Sequence, residues 1–402
     1  MPSDCANPPS ALLLFPPPPS ADFERFKYAY EPTLSVVYAK LAKAVSGADH
    51  MAVLDIALSI PDLLSLSCQS QGRVIPYLQR FLATLYRLIG TICIEENVAL
   101  DVPGGVDTRV IFVDYDPAQS PSTPKECRPF SQQGPTLDLQ SLASSERRWD
   151  SVYYMDNKPG QSLATAFNNY SSASLYPLPA VSNWTLSGPG QIPSDDKLHA
   201  THCSVAVGGT FDHFHIGHKL LLSAATLALE PIRETGPGSE RLLTIGVTVD
   251  ELLANKKYAE CLQDWDERCH SVISFLSAIT VFGCPENRAP SIQRVSQPDP
   301  NGKYVLVKLG HGLTLKLVPL SDPFGPTVTE EDINTLVVSK ETKAGGAAVN
   351  AERAKKGWKS LDVFEIDVLS SGNASATDVE KSFESKISST EIRRRRMNQA
   401  KA

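Results

Sequence analysis

The sequence predicts an α/β protein whose C-terminal half, residues 200–402, is a parallel sheet with helices on both faces. Three observations predict it. Short apolar runs alternate with segments of helical periodicity from about residue 200 onward. The composition changes at the same point. A glycine-rich turn stands between the first apolar run and the helix after it. Strands alternating with helices give a parallel sheet, and ligands on such a sheet bind at the carboxyl ends of its strands.

Taken in order, residues 1–20 hold an apolar patch, Ala11–Phe15, and four prolines, Pro16–Pro19. They are expected to be a disordered tail, and the patch is too short and lacks the basic flank for a secretory signal. Residues 21–116 are expected to be an α+β region of unknown role. Leu34–Val45 and Ile75–Ile94 space their apolar residues as helices do, and Arg109–Tyr115 (RVIFVDY) reads as a strand. Residues 117–199 are rich in Ser, Pro, Gly, Asn and Gln and read as a linker or partly ordered extension, with a strand at Trp149–Met155.

The C-terminal half, residues 200–402, then opens. His202–Val207 is its first strand, Leu220–Leu229 a buried helix and Arg241–Val249 the second strand. Trp265–Val281 is a helix, Pro285–Gly302 a loop, and Lys303–Leu309 and Thr314–Leu320 are strands. Thr335–Ser339 is a buried strand, Gly345–Lys356 a helix and Leu361–Val368 a strand, and the last helix starts near Ser388.

Composition narrows the function. The chain has 402 residues, 42% hydrophobic and 21% charged, with a net charge of −7. Residues 1–199 carry 14 Lys and Arg against 20 Asp and Glu, so most of the acidity lies there. A nucleic-acid binder leans the other way. No apolar run reaches the roughly 18 residues of a membrane span; Leu82–Ile94 is broken by Arg87. Cysteines at 5, 68, 93, 127, 203, 261, 269 and 284 form no C-x-x-C pair. Reduced thiols in the cytoplasm are the expectation, and the sequons at Asn169, Asn183 and Asn373 are then chance matches. The run Arg393–Arg396 reads as solvated, with a nuclear signal as its alternative.

The informative stretch is Gly208–His218, GGTFDHFHIGH, between the first strand and the first helix. Gly208 and Gly209 let the backbone turn tightly and approach a phosphate closely. The helix that follows offers free N–H groups and a positive dipole end. Thr210 adds a hydroxyl, and His215 and His218, three apart, face one ligand as the helix begins. Two histidines at a helix start are otherwise ordinary caps or zinc ligands. Late in the chain, Ser388-Ser389-Thr390-Glu391 opens a helix with capping-box spacing, and its hydroxyls and N–H groups suit a phosphate equally well. Val337–Trp358 places Lys340 and Lys343 at a strand's carboxyl end, before Gly345-Gly346 and a helix holding Asn350 and Arg353. Lys256 and Lys257 follow the second strand. Asp266, Glu267 and Arg268 read as solvated helix residues.

His215-Ile216-Gly217-His218, preceded by Gly209-Thr210-Phe211-Asp212, resembles the (T/H)-x-G-H signature of the nucleotidylyltransferase superfamily. Ile387–Arg393 (ISSTEIR) resembles the phosphopantetheine adenylyltransferases, and Val337–Trp358 resembles their eukaryotic and archaeal form. The resemblance covers residues 200–400. It implies a Rossmann-like sheet and transfer of AMP from ATP to 4′-phosphopantetheine, giving dephospho-coenzyme A and pyrophosphate. It implies that His218 and His215, with Thr210 and Lys256, are catalytic. Gly208, Gly209, Phe211, Asp212, Gly217, Lys343, Ser388, Ser389, Thr390 and Arg393 would hold ATP. Thr210, Lys256, Lys257 and Lys340 would hold the acceptor, with Lys257 the alternative to Lys256 as catalytic lysine. Magnesium is expected on the triphosphate, with no dedicated metal site in the protein. No G-x-x-x-x-G-K-[ST] occurs, so dephospho-coenzyme A kinase is expected as a separate protein. That kinase, or another protein of the pathway, is a candidate partner for residues 1–199. One departure points elsewhere: His at the first signature position is shared with the cytidylyltransferases, although Ser385–Thr390 lacks their late R-T-x-G-I-S-T. A CTP-dependent cytidylyltransferase acting on a phosphorylated alcohol and a catalytically silent scaffold or regulator are the alternatives.

Overall fold

The structure is a computed structural model that describes residues 7–64, 71–117, 134–182, 202–230, 240–283, 290–296, 302–310, 312–366 and 388–400. Cys5, Cys68, Cys127, Cys284, Asn183, Asn373 and Ile387 lie outside the described residues, as do 118–133 and 183–199 of the expected linker. Cys93, Cys203, Cys261 and Cys269 are free thiols. Among the described residues no helix is long and apolar enough to cross a membrane. The chain divides into two compact units.

The first unit corrects two expectations. It is a parallel α/β sheet, not an α+β region. Its strands are β1 (Ser10–Phe15), β2 (Ala52–Ile60), β3 (Val106–Asp114), β4 (Thr136–Asp138), β5 (Ser151–Met155) and β6 (Leu175–Leu178). They lie in the order β4-β3-β2-β1-β5-β6, every adjacent pair parallel. The expected tail therefore supplies a central strand. Ala11 to Phe15 are fully buried, because a strand with neighbours on both edges and cover on both faces is continuously apolar, with no alternation to mark it. The prolines after it are pinned: Tyr30 stacks on Phe15 at 4.4 Å and donates its hydroxyl to the Pro16 carbonyl at 2.7 Å. Tyr30 lies on α1 (Phe23–Ala44), which Asp22 caps by accepting from Arg25 N.

Of the two readings of residues 117–199, linker or partly ordered extension, residues 134–182 follow the second and join this sheet. The strand expected at Trp149–Met155 is β5. Ahead of it, Trp149 Nε1 donates to Asp55 Oδ2 at 2.8 Å and Arg147 Nη1 to the same oxygen at 3.2 Å. Asp55 is buried in β2. A polar segment is thus ordered by partners more than 90 residues away, which local periodicity does not register. Among the described residues α2 (Gln71–Glu95), from Arg80 onward, α3 (Leu139–Ala143) and α4 (Lys158–Asn168) also belong to this unit.

The second unit matches the expected class and adds a mixed edge. Its strands are β7 (Ser204–Gly209), β8 (Arg241–Thr248), β9 (Ser291–Ser296), β10 (Lys303–Leu309), β11 (Leu313–Leu320), β12 (Thr335–Ser339) and β13 (Asp362–Ile366). The order is β13-β12-β7-β8-β11-β10-β9, parallel as far as β11 and antiparallel beyond it. β9 falls inside the expected loop Pro285–Gly302. Its residues SIQRVS are almost all exposed, so it carries no apolar signature and is held by backbone pairing to β10. The helices are α5 (Ile216–Leu227), α6 (Trp265–Thr280), α7 (Lys343–Lys355) and α8 (Ser389–Ala400).

Strand alternation on β12 divides the faces. Leu336 and Val338 pack with Val349 of α7 and with Ala206, Ile333 and Leu361, while α5 packs on β7 and β12. β7 has β8 on one side and β12 on the other, so the connections around it run in opposite directions. The carboxyl end of β7 is the crevice of a doubly wound sheet, where a ligand is expected.

Two residues read as part of the lysine-rich functional stretch are spent inside this fold. Asn350 accepts from Leu361 N at 2.8 Å and donates to Leu361 O at 3.1 Å. Arg353, 1% exposed, donates to the carbonyls of Lys359, Thr327, Glu330, Glu331 and Ile333 at 2.7–3.3 Å.

Candidate active site

The site is built on the turn that leaves β7. A Cβ at Gly208 would meet Leu320 at 3.3 Å and one at Gly209 would meet the Phe211 ring at 3.0 Å, so a side chain at either position would press on its neighbour. Phe211 (φ 51°) and His213 (φ 44°) then adopt the left-handed region, which costs a non-glycine residue about 1–3 kcal/mol. Their surroundings impose it. Thr210 O accepts from Arg268 Nη1 at 2.7 Å. Asp212 Oδ1 accepts from Gln263 N at 3.1 Å, and His213 N donates to Gln263 Oε1 at 2.7 Å. His213 Nε2 meets the Cys261 carbonyl at 2.7 Å.

His215 and His218 stack with ring centroids 3.9 Å apart. His215 is the N-cap of α5: its Nδ1 accepts from Gly217 N at 3.2 Å. The proton of the neutral ring is therefore on Nε2, which lies 3.3 Å from Ser389 Oγ. That hydroxyl in turn donates to Asp212 O at 2.8 Å. Burial, then the charges of Lys219 and His213, pushes His215 down to about 3. Burial, then His215 and His213, pushes His218 well below the ordinary histidine value. His218 Nδ1 is buried and has no hydrogen-bond partner among the described residues. The rings of Phe211 and Phe214 lie 5.4 and 5.7 Å from its own.

Both imidazoles are thus neutral across the physiological range, and a pH dependence follows. A histidine whose folded pKa lies below its unfolded value is protonated first in the unfolded chain, so stability falls as pH drops from about 6.5 toward 3 and is fully present above 6.5. For activity, kcat/KM reports the free protein and is expected to stay flat between pH 6 and 8. An inflection near 6.5 that disappears in His218→Asn would contradict the assignment.

The turn opens into a cleft of about 960 Å³. Its lining brings together most of the residues expected there: Gly208, Gly209, Thr210, Asp212, His215, Gly217, His218, Lys256, Lys340, Ser388, Ser389, Thr390 and Arg393. Three others do not line it, and Arg393 lines it with its guanidinium already engaged. Phe211 is fully buried and supports the turn from within, because its left-handed backbone points the ring under Gly209. Lys257 is not among the lining; its carbonyl accepts from Arg393 Nε at 3.0 Å. Lys343 is exposed and pairs with Glu365 of β13 at 2.7 Å, outside the cleft. Arg393 reaches the cleft wall, but its guanidinium is bound to Asp212, the Lys257 carbonyl and Thr390 Oγ1.

Other residues here escaped the sequence reading. Arg268 is fully buried, not solvated, and donates to Thr210 O, Gln263 O and Asp250. Asp322, on the loop after β11, lines the cleft and accepts from Phe324 N and Gly325 N, each at 2.8 Å. His202, just ahead of β7 and outside the cleft lining, pairs with Asp362 at 2.9 Å. The lysines separate in a simple test. Lys340→Ala is expected to weaken nucleotide or acceptor binding about tenfold, the scale of one lost charged hydrogen bond. Lys343→Ala is expected to change it less than twofold. Steady-state KM values for both substrates decide, and equal effects would return Lys343 to the site.

Comparison with known proteins adds the following. Residues 206–395 match a family model described as cytidylyltransferase-like, and residues 1–183 match one described as a domain of unknown function (DUF8446). The phosphopantetheine adenylyltransferase of Saccharomyces cerevisiae is 37% identical over 203 residues, 50% of this chain and 50% of the yeast protein. An uncharacterized protein of Schizosaccharomyces pombe is 31% identical over 257 residues, 64% of this chain and 67% of that protein. The phosphopantetheine adenylyltransferase of Methanothermobacter thermautotrophicus is 30% identical over 190 residues, 47% of this chain and 82% of the archaeal one. The chain therefore spans half the length of its yeast relative and most of the archaeal one.

Proposed function

The chain belongs to the phosphopantetheine adenylyltransferase family of the cytidylyltransferase-like nucleotidyltransferases, and from that premise we propose that it transfers AMP from ATP to 4′-phosphopantetheine. The products are dephospho-coenzyme A and pyrophosphate. One observation carries the reading. Two signatures 174 residues apart in sequence meet at one cleft, where Ser389 Oγ lies 3.3 Å from His215 Nε2.

In the proposed reaction an oxygen of the acceptor phosphate forms a bond to the α-phosphorus. The bond from that phosphorus to the bridging oxygen breaks, and pyrophosphate leaves with it. A phosphate is already an adequate nucleophile, so the chain supplies position and charge stabilisation. His218, held neutral, offers a ring N–H to the developing charge. Thr210 and Lys256 hold the acceptor and the α-phosphate. Ser388, Ser389 and Thr390 open α8 toward the rest of the triphosphate, with the free N–H groups of a helix start behind them. Magnesium enters on the nucleotide as part of the substrate. The two carboxylates of the cleft, Asp212 and Asp322, are already engaged by protein donors. The proposal assigns this chemistry to residues 206–395 and gives residues 1–199 a separate role. In the same proposal they are the contact for a separate dephospho-coenzyme A kinase or another protein of the pathway, in the cytoplasm.

The test is pyrophosphate release by the purified chain with 4′-phosphopantetheine and magnesium, ATP against CTP. Release with ATP alone is expected. Turnover of CTP on a phosphorylated alcohol, with none of ATP, would make the chain a cytidylyltransferase. Silence with both nucleotides would favour a scaffold.

A further inference from the structure

We propose that Asp212, Arg393 and Arg268 are positioning residues that lock the turn 210–213 and the start of α8 into one rigid site. The proposal rests on reading the cleft as the adenylyl-transfer site. It assigns Arg393 to the protein's own architecture, not to ATP.

The turn needs a lock. Asp212 sits between two non-glycine residues in the left-handed region, Phe211 and His213. Such a conformation persists only when the surroundings over-determine it. On one side Arg268, wholly buried, spends Nη1 on Thr210 O, Nε on Gln263 O and Nη2 on Asp250. On the other, Arg393 is 3% exposed and Asp212 1%. Arg393 Nη1 pairs with Asp212 Oδ2, Nε donates to Lys257 O at 3.0 Å and Nη2 to Thr390 Oγ1 at 3.2 Å. Each polar atom beyond the Asp212 amide is also committed. Oδ1 accepts from Gln263 N and the carbonyl accepts from Ser389 Oγ.

One planar fork therefore ties three separate pieces of the cleft together: the turn after β7, the segment carrying Lys256, and the serine-rich start of α8. A guanidinium can do this and an ammonium cannot, because only the former presents several donors in fixed directions. Were Arg393 to swing to a phosphate, Asp212 would be left buried without its cation, a costly arrangement. The observed pairing thus favours a strut over a ligand.

The experiment compares Arg393→Lys, Asp212→Asn, their double variant and Arg268→Lys in the full chain. Steady-state kinetics and amide hydrogen exchange over residues 210–213 and 389–400 are read together. The expected result is a fall in kcat of about 100-fold for each single variant, the scale of a slight misplacement of reacting groups, with KM for ATP changed less than threefold. Exchange at 389–400 should quicken in Arg393→Lys and Asp212→Asn alike. The double variant should be no worse than the poorer single one, because both remove the same link. Gln263→Ala, which keeps both ion pairs, is the milder variant should Arg393→Lys fail to fold; faster exchange at 210–213 is expected there. Unchanged exchange in every folded variant overturns the proposal, whatever happens to activity. So does an Arg393→Lys chain with a tenfold higher KM for ATP beside an active Asp212→Asn chain. If the parent chain releases no pyrophosphate, the proposed reaction fails, and the exchange measurements still decide the lock.

Discussion

His218→Ala is expected to cut kcat about 100- to 1,000-fold, the usual loss when one preorganised donor to a transition-state charge is removed, while the melting temperature stays within a degree or two. The separation follows from what each histidine touches. His218 Nδ1 makes no hydrogen bond to the described residues, and its ring lies beside the cleft, so truncation strands no partner. His215 caps α5 and meets Ser389. His215→Ala should therefore lose activity and also about 1 kcal/mol of stability, as a lost N-cap does. Pyrophosphate release and thermal melts on the two variants check both statements. A His218→Ala chain within threefold of the parent would remove this residue from the chemistry.

Arg353→Met is expected to cost the C-terminal unit about 3–5 kcal/mol, the range for breaking a buried charged network. The guanidinium serves five main-chain carbonyls, those of Thr327, Glu330, Glu331, Ile333 and Lys359, and lies over the Trp358 ring at 5.2 Å. Methionine fills much of the volume and satisfies none of the oxygens. Because the chain has two units, a melting curve registers the loss without assigning it to one of them. Hydrogen exchange of β12 and β13 assigns it. A change below 1 kcal/mol would mean that water replaces the guanidinium freely.

The fold of the C-terminal half was legible because its strands are short apolar runs set between helical periods. The turn Gly208–His218 was legible because glycines, a hydroxyl and two histidines occur together at a strand–helix junction. What escaped shares a different physics. β1 looked like a tail because a strand covered on both faces lacks alternation, and β9 looked like a loop because its two apolar residues, Ile292 and Val295, stand in an exposed and otherwise polar edge strand. Residues 145–150 owe their order to Asp55, far off in the chain. Within the site, Arg268 and Arg393 read as a solvated charge and a phosphate contact, respectively. Their partners, Thr210 and Asp212, lie 58 and 181 residues away, and a local reading cannot pair them. Lys343 failed in the opposite sense: its position beside Lys340 suggested a shared duty, and Glu365 on the next strand takes it.

The central place of β1 has a consequence for biosynthesis. The strand ending at Phe15 leaves the ribosome before both of its neighbours in the sheet, Ala52–Ile60 and Ser151–Met155. At about 5–20 residues per second, the second neighbour is translated on the order of ten seconds after the first strand. For that interval Ala-Leu-Leu-Leu-Phe has at most one edge covered. The nascent N-terminal half thus emerges with its most apolar segment waiting for its last partner, a natural client for a ribosome-bound chaperone.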